Sequence, residues 1–227
     1  MIIITGASKG IGKYLFEKFW EMDEITYGTY NTTFPKTDRI DYFEKVDISD
    51  YLSVANWINK IDNKISKLTL INSAGINYNS FAHKADTDKW NQVIYVNLIG
   101  TFNVIRAILP FMRDEGFGRI INFSSVVAQT CVHGTSAYAA SKAGLWGLTR
   151  SVAVENAKRG ITINNLNLGY YEIGMIDEIP NEFRDKLKKK IPTGNFGTPE
   201  NIFRAINFLR ETEYINGTSI DINGGLF

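Results

Sequence analysis

Seven short runs of apolar and β-branched residues recur along the chain, at positions 1–5, 25–30, 42–46, 68–72, 119–124, 161–167 and 218–222. Segments of helical period lie between them at 11–21, 51–61, 87–113, 137–158 and 199–211, with a less regular stretch at 170–195. Strands this continuously apolar are buried on both faces, and neighbouring parallel strands need a crossover of about helical length. The alternation therefore predicts an α/β fold, a doubly wound seven-stranded parallel sheet flanked by helices on both faces, with ligands at the carboxyl ends of the strands. With 227 residues and 44% hydrophobic content, the chain supports a sizeable core but falls short of the length that favours two units. Residues 1–227 are expected to form a single domain.

Charge narrows the partners. The 25 Lys and Arg nearly cancel the 24 Asp and Glu, so no overall field favours nucleic acid or an anionic membrane surface, which leaves small-molecule chemistry. One cysteine, Cys131, cannot close an internal disulfide, and two histidines offer no cluster, so no metal is expected. The opening MIIITGASKG has no basic segment ahead of its apolar run, and the apolar tract at 93–112 is broken by Asn97, Gly100, Asn103, Arg106 and Pro110. The expectation is a cytoplasmic protein with no transmembrane helix. The basic run KLKKK at 186–190 reads as the solvated face of a short helix.

The stretch IIITGASKGIG sets Gly6, Gly10 and Gly12 directly after the first strand, where a helix begins. Glycines there let the backbone turn tightly and approach a pyrophosphate, whose charge free amides and the helix dipole would meet. A tight strand-to-helix turn without any ligand uses the same residues. The spacing G-x-x-x-G-x-G resembles the short-chain dehydrogenase/reductase family, and further pieces follow in order: VDIS at 46–49, NSAG at 72–75, VNLIGTF at 96–102, GRIINFSSVVA at 118–128, YAASK at 138–142 and DINGG at 221–225. The resemblance implies a Rossmann-type domain that binds a dinucleotide and moves hydride between a carbonyl and an alcohol. It assigns cofactor contacts to Gly6, Ser8, Lys9, Gly10, Ile11 and Gly12 in the first turn and to Asn31 after the second strand. Asp47 and Ile48 would lie at the adenine. Asn72, Ala74 and Gly75 follow the fourth strand, Tyr138 and Lys142 reach the nicotinamide side, and Gly169 and Ile173 lie past the sixth strand.

Tyr138 and Lys142, four residues apart, share one helix face. Taken alone such a pair is more often a surface contact than a device. Ser125, thirteen residues before Tyr138 and just past a strand, would open onto the same cleft. A free phenol titrates near about 10, and a neighbouring ammonium is expected to lower it. By resemblance Tyr138 exchanges a proton with the substrate oxygen and Ser125 hydrogen-bonds that oxygen. Lys142 holds the nicotinamide ribose, and Asn97 supports the water chain that replenishes the proton.

NADP is favoured over NAD, because TYGTYNTTF at 26–34 offers Asn31, Thr32 and Thr33 where NAD-binding relatives place an acid, and Lys9 stands where a 2′-phosphate would need a cation. Leu168 and Ile173 replace the proline and threonine usual after the sixth strand. Tyr170, Tyr171, Met175 and Ile176, with Gln129, Cys131, His133 and Tyr78 from flanking loops, would line a substrate pocket too mixed to choose a substrate. The leading function is reduction of a ketone to a secondary alcohol, with a 3-oxoacyl thioester among the candidate substrates. A sugar, polyol or small-alcohol dehydrogenase and a non-catalytic dinucleotide sensor stand as alternatives. The helices at 87–113 and 137–158 correspond to those that pair across a two-fold axis in the family, so a homotetramer or dimer is expected, although Leu145, Trp146, Leu148 and Val152 could equally pack internally.

Overall fold

A computed structural model describes residues 1–174, 176 and 180–226. Seven strands, β1 (Ile2–Thr5), β2 (Thr26–Tyr30), β3 (Phe43–Lys45), β4 (Thr69–Asn72), β5 (Gly118–Ser125), β6 (Ile161–Leu168) and β7 (Ser219–Ile222), form one sheet in the order β3-β2-β1-β4-β5-β6-β7. Every pairing is parallel. The order reverses direction beside β1, so the carboxyl ends of β1 and β4 border the crevice where such sheets bind ligands.

The helices are α1 (Gly10–Glu21), α2 (Tyr51–Ile61), α3 (Thr87–Ile94), α4 (Thr101–Glu115), α5 (Val127–Thr130), α6 (Ser136–Asn156), α7 (Asn181–Lys188) and α8 (Pro199–Glu211). Alternation along β1 shows how the layers form. Ile3 enters one core with Val104, Ile105 and Ile108 of α4 and Val152 of α6, whereas Ile2 and Ile4 face the other with Phe16 and Phe19 of α1 and Ile202 and Ile206 of α8. All three isoleucines are fully buried, each worth roughly 1.5–3 kcal/mol in apolar surface removed from water.

Two expectations needed correction. The helix predicted over 87–113 runs continuously from Thr87 to Glu115, but α3 and α4 within it meet at a π-helical turn, Tyr95–Gly100, whose extra residue shifts the phase between them. The sixth strand runs one residue further than its apolar pattern indicates. Leu168, unlike proline, keeps an N–H and pairs with Ser125, and its carbonyl accepts the Val126 N–H at 2.9 Å. The helical segment Thr87–Glu115 is long enough, and within one 18-residue window apolar enough, to cross a membrane, yet Val93, Val104, Ile105, Ile108 and Met112 are fully buried in the protein.

β6 reads ITINNLNL and is buried at all eight positions, asparagines included. The amides are linked across the sheet, with Asn72 Oδ1 left without a partner among the described residues. Asn72, Asn122, Asn165 and Ser219 are register partners on four successive strands. Asn72 Nδ2 donates to Asn122 Oδ1 at 2.8 Å, Asn122 Nδ2 donates to Thr149 Oγ1 of α6 at 3.0 Å, and that hydroxyl donates to Asn165 Oδ1 at 2.7 Å. Asn165 Nδ2 ends the ladder on Ser219 Oγ at 2.9 Å. Buried polar groups persist only when paired in this way.

Candidate active site

Side chains cap some helix starts and leave others open, those of α1, α6 and α7 among them. Asp50 caps α2 through the Leu52 N–H, Asp86 caps α3 through Asp88 and Lys89, and at α8 the Thr198 N–H donates to Asn201. At α1 no side chain caps the first turn. Its amides and the positive end of its dipole are left for an anion. The glycines leading into it are required by space. Gly6 has φ +68°, and a Cβ there would lie 2.8 Å from the Ala74 Cα, while one on Gly12 would strike the Gly6 carbonyl oxygen. This crowding fits a turn that brings backbone against a pyrophosphate. Ser8 and Ile11 are partly buried in the turn and Lys9 is exposed.

The other proposed cofactor residues border the same crevice. Thr5 Oγ1 accepts the N–H groups of Ser73 and Ala74, both at 3.2 Å, which ties the Asn72–Gly75 turn to the end of β1. Asn31, Thr32 and Thr33 are exposed just past β2. Asp47 is exposed after β3 and accepts from Ser49 N and Oγ at 2.9 and 2.6 Å; Ile48 behind it is buried. Gly169 packs on Asn223, whose Cα would be 2.7 Å from a glycine Cβ. Gly174 comes down on Gly10, with 3.0 Å between its Cα and a Cβ built on Gly10, so the Ile173–Gly174 segment rims the glycine turn.

Tyr138, Lys142, Ser125 and Asn97 converge. β5 ends at Ser125, whose Oγ accepts the Val127 N–H at 3.2 Å and lies close enough to the Tyr138 phenol to favour its ionised form. Lys142 Nζ lies 5.6 Å from the Tyr138 ring centroid and donates to the Phe123 carbonyl at 2.7 Å. A Cβ on Gly75 would sit 3.3 Å from Asn97 Oδ1 and 3.6 Å from Lys142 Nζ, so this glycine is the clearance between them. The π-turn presents Asn97, fully buried, whose Oδ1 accepts from Ile76 N at 2.8 Å and whose Nδ2 donates to Ile76 O at 2.9 Å and Ser141 Oγ at 3.1 Å. Ser141 in turn donates to the Tyr138 carbonyl at 2.8 Å.

Ser141, within YAASK, is a link to which the motifs assign no role. A hydroxyl beside Lys142 in an otherwise apolar stretch was the available signal. Ser124 is another: its Oγ donates to the Lys142 carbonyl at 3.0 Å and accepts from Trp146 Nε1, also 3.0 Å away.

The electrostatics differ from expectation. Burial pushes the Tyr138 phenol up to about 12, only partly countered by Ser125, and burial lowers Lys142 to about 8. The ammonium does not lower the phenol, because Nζ turns to the Phe123 carbonyl and, enclosed, gives up its own charge readily. Lys142 is 5% exposed, while Tyr138 is only partly buried.

A stability signature follows. Between about pH 8 and its ordinary 10.5, Lys142 is neutral when folded and charged when unfolded. The unfolded chain then holds more protons, so stability rises with pH, by up to about 1.4 kcal/mol per pH unit. From pH 10 upward Tyr138 opposes this, since the folded chain keeps a phenolic proton that the unfolded chain loses. Melting temperatures recorded from pH 8 to 10 should rise in the wild type and stay level in Lys142→Met. Parallel curves would refute the buried neutral amine.

Of the substrate-side residues, Tyr171 is buried with its hydroxyl on the Ile222 carbonyl at 2.8 Å, and Ile176 packs with Ile191 and Phe196. Tyr170 lies close enough to raise the Tyr138 phenol further. Gln129, Cys131 and His133 are exposed, and Gln129 Nε2 donates to Asp221 at 2.9 Å. Tyr78 is taken up by the Asp86 N–H at 2.9 Å, and Met175 lies outside the described residues.

These groups can move a proton and polarise an oxygen, and the turn beside them suits a phosphate. That pairing defines the class of nucleotide-dependent oxidoreductases. A family model described as "Enoyl-(Acyl carrier protein) reductase" matches residues 31–227. The chain is 34% identical to the acetoacetyl-CoA reductase of Shinella zoogloeoides, over 99% of this chain and 97% of that protein. It is 31% identical to the 3-oxoacyl-[acyl-carrier-protein] reductase FabG of Vibrio harveyi and 32% to that of Thermotoga maritima, each over 99% of this chain and 96% of the relative. The chain belongs to the short-chain dehydrogenase/reductase family and is an NAD(P)-dependent oxidoreductase of it.

Proposed function

We propose that the protein reduces a 3-oxoacyl thioester to the 3-hydroxyacyl thioester with NADPH. The observation that carries this reading is the convergence of Tyr138, Ser125, Lys142 and Asn97 next to the uncapped start of α1. The bound dinucleotide supplies hydride to the carbonyl carbon. Tyr138 gives its phenolic proton to the carbonyl oxygen, a direction favoured by a phenol that burial keeps protonated. Ser125 donates to the same oxygen as charge develops on it. Lys142 holds the nicotinamide ribose, and Asn97, fixed by Ile76 and Ser141, orders the route by which the proton is restored. Thioesters are named for the relatives, and the match extends over nearly the whole chain.

NADP is favoured by exposed neutral residues after β2 and by Lys9, exposed at the glycine turn. A copy-to-copy interface through the helical stretch Thr87–Glu115 and α6 is supported by Tyr95, Ile99, Phe102 and Val154, all exposed apolar surface. We place the assembled dimer or tetramer in the cytoplasm.

The test is a panel of 3-oxoacyl thioesters, simple ketones and keto-sugars with each reduced cofactor. Fastest turnover is expected with a thioester and NADPH, and Lys9→Ala should raise KM for NADPH about tenfold, the loss of roughly one charge-assisted contact, while leaving KM for NADH unchanged. Preference for NADH, or turnover of sugars alone, would overturn the respective half of the proposal.

A further inference from the structure

Asn103 stands in the first turn of α4, immediately after the VNLIGTF stretch that carries Asn97, and is 7% exposed. Its neighbours Val104 and Ile105 are fully buried hydrophobic residues, and an amide so enclosed is tolerated only with partners. Both partners lie on one turn: Nδ2 donates to the Ile48 carbonyl at 3.0 Å and to the Ser49 carbonyl at 3.3 Å. A primary amide has two hydrogens for two carbonyls. Three residues earlier in the chain Gly100 supports the same turn by having no side chain, since a Cβ there would lie 2.7 Å from Ile48 Cγ1. The turn after β3 is thus held from the helix by a fork of hydrogen bonds and a close-packed glycine. The π-turn that ends at Gly100 also carries Asn97.

We propose that Asn103 is a positioning residue for the cofactor, holding the Asp47–Ser49 turn as the wall against which the adenine end of the dinucleotide binds, and so setting affinity rather than turnover. This rests on the reading above that a dinucleotide lies in the cleft with its adenine at Asp47 and Ile48. The carboxylate of Asp47 already engages Ser49 N and Oγ, so this turn is internally ordered and Asn103 fixes its placement against the helix.

The test compares wild type, Asn103→Leu and Asn103→Asp, the last keeping the shape while facing two carbonyls with a carboxylate. Dissociation constants for the reduced dinucleotide are read by fluorescence, and steady-state constants with the dinucleotide and with reduced nicotinamide mononucleotide, which lacks the adenine half. Both variants should weaken dinucleotide binding about tenfold, leave kcat at saturation within about twofold, and leave KM for the mononucleotide unchanged. Gly100→Ala, which displaces Ile48 without touching the amide, should show the same pattern and serves if an Asn103 variant does not fold. Equal losses with both cofactors would show general packing and overturn the inference, as would unchanged dinucleotide affinity. A wild type that binds no dinucleotide would overturn the underlying reading as well, a result distinct from either of those.

Discussion

Tyr138→Phe is expected to lower kcat by about 10²–10⁴-fold, the range that a positioned general acid contributes. The substitution removes one oxygen and keeps the ring, so packing at the start of α6 is retained and dinucleotide affinity should change by less than about threefold. Ser125 would still hydrogen-bond the substrate oxygen, but its free hydroxyl is a far weaker proton donor than a phenol, even one raised to about 12. Because the lost interaction exists in the transition state and not in the bound substrate, kcat and kcat/KM should fall together. Steady-state kinetics on a thioester, alongside a fluorescence titration of the cofactor, read both quantities. Near-normal turnover would mean that another group is the acid.

Asn122→Leu is expected to destabilise the fold by about 2–4 kcal/mol, measured by urea unfolding. Leucine shares the branched shape and heavy-atom count of asparagine but is bulkier, so no cavity opens and the cost comes from the lost hydrogen bonds with some overpacking. Asn72 Nδ2 loses its acceptor, and Asn72 Oδ1 already has no partner among the described residues, which strands the whole amide. Thr149 loses a donor and keeps only its bond to Asn165. Replacing both ends should be milder than replacing one, so Asn72→Leu/Asn122→Leu ought to recover part of the loss, a coupling that a double-mutant cycle isolates. A single-variant cost under about 1 kcal/mol would show that the buried amides relax or admit water more easily than their geometry implies.

The sheet was legible because its strands are short, apolar and separated by helical segments, a pattern that leaves few topologies. The π-turn was not, since a one-residue insertion barely alters the hydropathy period over 87–113, and the single turn Val127–Thr130 is too short to show one. Tyr138, Lys142, Ser125 and Asn97 lie near one another in the structure, in keeping with their spacing and with a strand that ends at Ser125. What sequence could not supply was direction. Lys142 can reach the phenol from one turn away, yet its amine points to the Phe123 carbonyl, and the sign of the phenol's shift changes with that choice. Asn103 and Ser141 were invisible for a related reason: a polar residue in a helix is by default solvated, and only the packed fold shows that these two face inward.

The amides lined up on β4, β5, β6 and β7 bear on how the chain finds its alignment at all. A slip of one residue between parallel strands sends each side chain into the opposite core and disrupts the packing of both. A slip of two preserves the faces, and runs as repetitive as IIIT or ITINNLNL offer hydrophobicity no means of detecting it. Such a shift would part Asn72 from Asn122 and Asn122 from Asn165, leaving several enclosed amides unpaired at once. The polar rungs therefore act as a proofreader of strand position, distinguishing the native alignment from its nearest oily imitation.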